Sequence, residues 1–386
     1  MTAHSSQEEP NDDPGSSSSS SSPSRPRSSL SSALSQKLYN AFLYANCVLH
    51  TPMFSILSCN VIYGTALYQS TIHSRRTGSA FSTTVLARTL GLYAVYCLVD
   101  RHQPTKGCNY VTARQREWLR HWPGFRWTAE FFPVTLHKTV DLDPLQQPYI
   151  FLYHPHGVIS MGANTALNTN GCQFDTIFPG IRRWGVTLNV LFTTPLFRDW
   201  LLWMGFVSAS KTALTNKLLA GDSIVLVPGG AAEALHAHES NFCLRLRSRR
   251  GFIRLALETG AAPVPCLGFG ENHVFDTVPT AAAASGVAVT DQYNNSNKND
   301  SPASWEAWLF GLQEQLYRVF SFSVPIVTWP FARQRPIHVV VGAPVRLHDM
   351  NDNVEACFAK YTAALQALYD EHKAKYGYAN VPLEIL

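Results

Sequence analysis

Two histidines one residue apart, at the end of an apolar run, are the first feature of this sequence that could do chemistry. The run Pro148-Tyr149-Ile150-Phe151-Leu152-Tyr153 leads directly into His154-Pro155-His156-Gly157. Its aromatic and β-branched residues predict a buried strand that delivers both histidines at its C-terminal end. Pro155 biases His154 toward an extended backbone, and Gly157 frees the chain to turn at once. An imidazole changes charge near neutral pH, so a histidine placed there suits a general base. The plainer alternative is a turn that carries two half-exposed histidines.

Two further apolar runs end in the same manner. Ile224-Val225-Leu226-Val227 leads into Pro228-Gly229-Gly230-Ala231-Ala232-Glu233, and Ala262 to Phe269 ends in Gly270-Glu271. Strand ends of one parallel sheet share an edge, and ligands collect there. A histidine base needs a group that holds its tautomer and stabilises the imidazolium, which a carboxylate can do. Glu233 is the first candidate for that partner and Glu271 the second. Gly229 and Gly230 would let backbone N–H groups approach an oxyanion or a phosphate, although a pair of glycines is also an ordinary turn. His156 is favoured over His154 as the base, because it borders Gly157 and the turn. Strand alternation aims His154 the other way, where it would serve structure. No serine sits in a Gly-x-Ser-x-Gly setting and no cysteine has the surroundings of a nucleophile, so direct transfer without a covalent enzyme intermediate is expected.

Arg245 to Arg254 holds five arginines in ten residues and opens a predicted helix. Positive charges at the positive end of a helix dipole repel it unless an anion is bound. Phosphate is the natural anion for arginine, and coenzyme A or a lipid headgroup would supply it. A solvated basic face is the alternative. Arg249 and Arg250, with Gly251 and Phe252 at the helix start, join Pro155, Gly157, Gly229, Gly230 and Glu271 as substrate-binding candidates.

Strands that alternate with helical patterns position these residues, which predicts an α/β domain with a central, largely parallel sheet flanked by helices. Asn189 to Thr193 and Gly221 to Val227 are further strand candidates, and Ile337 to Gly342 is a late one. Ser160 to Ala166, Thr112 to Trp127, Phe252 to Thr259 and Asn353 to Lys375 are expected to be helical. The second of these interleaves Trp118, Trp122 and Trp127 with arginines, a pattern that suits a membrane interface or an ordinary amphipathic helix. The domain is expected over residues 106–386, with a flexible insertion at 280–304. Upstream, residues 1–35 are a Ser-rich, low-complexity tail that reads as disordered and lacks the apolar stretch of a signal peptide. Residues 36–105 then predict a membrane-embedded hairpin. Leu38 to Ser74 contains no Asp, Glu, Lys or Arg, and Val48 to Tyr68 is long enough for a bilayer span. Thr89 to Val99 is shorter and suits half of a re-entrant hairpin or an interfacial helix.

Composition narrows the classes. Charged residues are 15% of the 386, against roughly 25% in ordinary soluble domains, while 46% are hydrophobic. That balance points to a lipid surface. A net charge of +4 excludes nucleic-acid binding by bulk charge. The eight cysteines are scattered without a Cys-x-x-Cys pair, which suggests a reducing compartment and neither a disulfide framework nor a zinc site.

Taken together, His154-Pro155-His156-Gly157, Pro179-Gly180-Ile181-Arg182, Gly229-Gly230-Ala231-Ala232-Glu233 and the block from Arg250-Gly251-Phe252 through Val264-Pro265 to Phe269-Gly270-Glu271 resemble the type-2 diacylglycerol acyltransferases. The resemblance runs from about residue 110 to 386 and includes Phe131-Phe132-Pro133, Pro336-Ile337 and His372 to Gly377. It implies an enzyme of the endoplasmic reticulum membrane and lipid droplets, its catalytic domain facing the cytosol. Its partners would be acyl-CoA, diacylglycerol and membrane lipid, with a homo-oligomer open. It implies acyl transfer from acyl-CoA to diacylglycerol by the histidine of His-Pro-His-Gly, with acyl-CoA as substrate and no cofactor. The aspartate of the wider glycerolipid acyltransferases (His-x4-Asp) is missing, since Ile159 and Met161 stand in its place. Three alternatives stay open: the same chemistry on a monoacylglycerol or long-chain alcohol, a non-catalytic lipid-droplet protein, and a soluble hydrolase. The insertion and the absence of a Gly-Arg-Gly in Phe320 to Gln334 bear on the acceptor more than on the reaction.

Overall fold

Seven strands build the central sheet: β1 (Val134–Lys138), β2 (Tyr149–His154), β3 (Arg183–Thr187), β4 (Phe206–Ser208), β5 (Ser223–Leu226), β7 (Ala262–Phe269) and β8 (Ile337–Val341). Two short strands, β6 (Phe242–Leu244) and β9 (Leu383–Ile385), form a separate parallel pair. The computed structural model describes residues 81–277, 332–347 and 353–386, apart from 147, 235, 236, 239 and 240, and also positions 65, 68, 69 and 72. The Ser-rich tail, nearly all of the first apolar run and the 280–304 insertion lie outside the described residues.

The sheet order is β1-β8-β7-β2-β5-β3-β4, and every neighbouring pair is parallel except β7–β8. The expected α/β class with a mostly parallel sheet therefore holds, with β1 and β8 running against the other five. β2 lies between β5 and β7 and is buried at all six positions. A parallel strand covered on both faces has no solvated side, which is why Tyr149–Tyr153 reads as a continuous apolar run. Tyr149, Phe151 and Tyr153 enter one core with the Pro123–Phe131 helix and the stretch after the histidines. Ile150 and Leu152 enter the other, under the Lys211–Leu219, Gly251–Thr259 and Val354–His372 helices.

Two expectations are corrected. Thr112 to Trp127 is two helices, not one: Ala113–Arg120, closed by a reciprocal Thr112–Gln115 capping box, and Pro123–Phe131. Pro123 lacks the N–H that would continue the first helix, and it is well suited to start the second. Asn189–Thr193 is a 3₁₀ helix, not a strand. Pro195 follows it and cannot donate to a ladder, and Phe192 packs with Phe197, Leu201 and Leu202 in a small separate core.

The Phe81–Val99 helix begins earlier than the Thr89–Val99 stretch suggested. Among the described residues no helix is long and apolar enough to cross a membrane. Polar contacts fasten its end to the sheet domain. The Tyr93 and Tyr96 hydroxyls donate to the two oxygens of Asp199, at 2.5 and 2.9 Å, and Arg198 donates to Asp100 at 2.7 Å. Leu92, Val95, Tyr96 and Val99 remain exposed along it.

Candidate active site

β2, β5 and β7 are adjacent and parallel, with His154 in register with Leu267 and Leu152 with Leu226. Their C-terminal ends therefore bring the His-Pro-His-Gly turn, Glu233 and Glu271 to one edge, as the three runs required. The contacts differ from those expected. Glu233 touches the backbone of His156 and not its ring: Oε1 accepts the His156 N–H at 2.6 Å, and Oε2 accepts the Arg245 N–H at 2.9 Å. Desolvation pushes its carboxyl up to about 7, against the opposing pull of these two amides and of the Arg245 and Arg249 charges.

The His156 ring is oriented by its own neighbour. Nδ1 lies 3.0 Å from the Gly157 carbonyl oxygen, which can only accept, so Nδ1 carries the proton and Nε2 the lone pair. Nε2 has no hydrogen-bond partner among the described residues, and the residue is partly buried. Burial holds the imidazole pKa below its ordinary value, with the Gly157 carbonyl pulling the other way. The ring is thus a neutral base with its basic nitrogen unspent. A backbone carbonyl does what the sequence assigned to a carboxylate.

His154 is fully buried, with Nε2 3.0 Å from the Tyr361 hydroxyl and Nδ1 without a partner among the described residues. Burial depresses its pKa to about 3, so it stays neutral as a core group, consistent with the alternation argument. Pro155 is buried beside it, and the His154–Pro155 bond is cis.

Glu271 also clamps backbone. Oε1 accepts the Met161 N–H at 2.7 Å, while Oε2 accepts the Gly162 N–H at 2.8 Å and the Tyr153 hydroxyl at 2.6 Å. Gly157 has φ +57°, and a Cβ there would stand 2.6 Å from Glu271 Cγ, so only glycine fits between the turn and the carboxylate. Gly230 spends its N–H on Val227, leaving Gly229 as the glycine whose N–H has no partner among the described residues. A Cβ on Gly229 would meet Glu233 Oε2 at 2.0 Å, so this glycine also makes room for that carboxylate.

The arginine segment divides. Arg250 is tied to structure: Nε and Nη2 reach the two oxygens of Glu355 at 3.0 and 2.9 Å, and the guanidinium stacks 3.4 Å over Phe358. Phe252 is buried against Phe358 and Tyr361. Both fasten the Gly251–Thr259 helix to the Val354–His372 helix, a structural role that the sequence did not assign to them. Gly251 is exposed at the helix start, and Arg247 and Arg249 are exposed beside it. Sequence reasoning missed Tyr153, although a tyrosine at a strand position covered on both faces must find a partner for its hydroxyl.

An α/β sheet thus presents a neutral histidine on a turn clamped by two buried carboxylates, and among the described residues no serine or cysteine hydrogen-bonds its ring. Residues 80–385 match the family described as Diacylglycerol acyltransferase, and the chain belongs to that family of O-acyltransferases. It is 35% identical over 301 residues to 2-acylglycerol O-acyltransferase 1 of Bos taurus, covering 74% of this chain and 81% of that one. It is 33% identical to Diacylglycerol O-acyltransferase 1 of Schizosaccharomyces pombe, covering 67% and 73%, and 33% identical to Diacylglycerol O-acyltransferase 2A of Umbelopsis ramanniana, covering 74% and 78%.

Proposed function

We propose that this acyltransferase moves a fatty acyl group from acyl-CoA to the free hydroxyl of diacylglycerol, giving triacylglycerol. The observation that carries the proposal is the unspent Nε2 of a neutral His156, held on a fixed turn. Nε2 takes the proton of the acceptor hydroxyl as its oxygen attacks the thioester carbonyl. The Nδ1–H bond to Gly157 steadies the imidazolium that forms. The Gly229 N–H serves the oxyanion of the tetrahedral intermediate. Collapse breaks the carbon–sulfur bond, and the departing thiolate takes the proton back from the imidazolium, so the enzyme returns unchanged. Arg247 and Arg249 bind the phosphates of coenzyme A.

The named relatives divide between diacylglycerol and 2-acylglycerol acceptors, so a monoacylglycerol is the second reading, with a long-chain alcohol behind it. Labelled acyl-CoA offered with diacylglycerol, monoacylglycerol or alcohol, in microsomes lacking other acyltransferases, decides among them. Triacylglycerol is the expected product. Ester formed only from monoacylglycerol or alcohol would replace diacylglycerol as the acceptor, and no ester from any of the three would end the proposal.

The proposal places the enzyme on the cytosolic face of the endoplasmic reticulum membrane and on lipid droplets. Leu92, Val95 and Val99 are spaced i, i+3 and i+7 along the Phe81–Val99 helix, and Leu92 is 72% exposed. That face suits the acyl boundary of a bilayer. A Leu92→Asp/Val95→Asp chain should float less well with phosphatidylcholine vesicles, and unchanged flotation would rule this face out as a membrane contact.

A further inference from the structure

We propose that Glu271, backed by Tyr153, is a positioning residue that holds the His156 turn in place as a hydrogen-bond acceptor, and that it takes no part in proton transfer. This deepens the assignment of His156 as the base and rests on it. The carboxylate meets the turn at both ends. Gly157 packs against its Cγ, and the Met161 and Gly162 amides donate to its two oxygens. Between those ends the His156 carbonyl accepts from both the amide and the hydroxyl of Ser160, each at 3.0 Å, and the Ser160 carbonyl accepts from Asn164 at 3.0 Å. Residues 156–164 are therefore wrapped around one buried side chain.

Three glycines keep space open for this pair. A Cβ on Gly162 would stand 2.1 Å from the Tyr153 hydroxyl oxygen, and one on Gly268 would stand 1.9 Å from it. On Gly157 a Cβ would strike Glu271 itself. Among the described residues the three hydrogen-bond partners of the Glu271 carboxylate are donors, and neither His154 nor His156 contributes its ring. What the site asks of residue 271 is lone pairs. Burial, which pushes this carboxyl up to about 7 against its three hydrogen bonds, agrees, because a neutral acid still accepts.

Acceptor and charge are separated by substitution. Glu271→Gln keeps one oxygen, and its amide N–H can donate to the Tyr153 oxygen, so two of the three contacts survive. Glu271→Leu keeps the bulk and loses every acceptor. Steady-state rates of the full chain in microsomes, at matched levels of protease-resistant protein, should show Glu271→Leu down about 100-fold in kcat with KM for acyl-CoA unchanged, since a displaced catalytic group costs that much. Glu271→Gln should stay within about tenfold of wild type, and Tyr153→Phe should lose less than Glu271→Leu, in kcat alone. Equal loss in Gln and Leu would mean that the charge matters and would overturn the proposal. A change confined to KM would make residue 271 a substrate contact, and a fully active Leu variant would remove it from the mechanism. If Glu271→Leu does not fold, the Gln rate decides: retained kcat supports the acceptor role and lost kcat overturns it. Failure of the underlying reading shows separately, as an active His156→Ala.

Discussion

His156→Ala should lose about 10²–10⁴-fold in acyl transfer while the chain stays folded, the range for removing a general base. Among the described residues the ring makes one hydrogen bond, to the carbonyl of the next residue, so its removal leaves none of their distant groups without a partner. The backbone N–H of residue 156 remains on Glu233. His154 makes the contrast. It is completely buried against Tyr361, so His154→Leu should lower the amount of folded protein more than the turnover of what folds. Initial rates at matched protease-resistant protein check both, and a His156→Ala chain with wild-type rate would remove this residue as the base. The pH profile follows from the same ring. A base works deprotonated, and burial lowers the pKa of this one, so the acid limb should lie below the ordinary 6.5.

Glu233→Ala should rank next, with about 100-fold loss of rate. It strips acceptors from two backbone amides at once, those of His156 and Arg245. A buried donor left unsatisfied costs about 1–3 kcal/mol, so melting temperature should fall as well. The role of this residue is separable from the role first expected of it. A carboxylate acting through the imidazole would set the pKa of the base, and its loss would move the pH limb. One that holds the backbone lowers the rate alike at every pH. Rates of Glu233→Ala across pH 5 to 9 distinguish the two, and a displaced limb would restore the ring as its target.

The site was legible where chemistry and secondary structure coincide. Strands β2 and β7 carry uninterrupted apolar runs that stop at polar or glycine residues, so their ends, and the residues gathered there, could be read directly. Strands β3 and β4 could not. β3 opens with Arg183, a buried arginine whose guanidinium lies over Phe174 and donates to Leu167 and Thr169 carbonyls, and nothing local announces that. Contact partners were legible only by residue type. A carboxylate near a histidine suggests a ring contact, but the side chain of Glu233 folds back over Gly229 and reaches main chain instead. Arg250 shows the same limit: its charge pointed to phosphate, and Glu355, 105 residues away, holds it.

The reversed strand β8 decides where the longest interval in the domain is anchored. Because β8 runs against β7, its beginning lies beside the end of β7, with Phe269 paired to His338. The chain thus leaves the sheet and returns to it on the rim that carries His156, and the Arg333 amide donates to the Val274 carbonyl at the closure. A chain segment whose exit and entry meet in this way can grow or shrink at slowly rising entropic cost, about (3/2)RT ln n for n residues. The two ends of the described chain on either side of this interval are thus tied together on that rim.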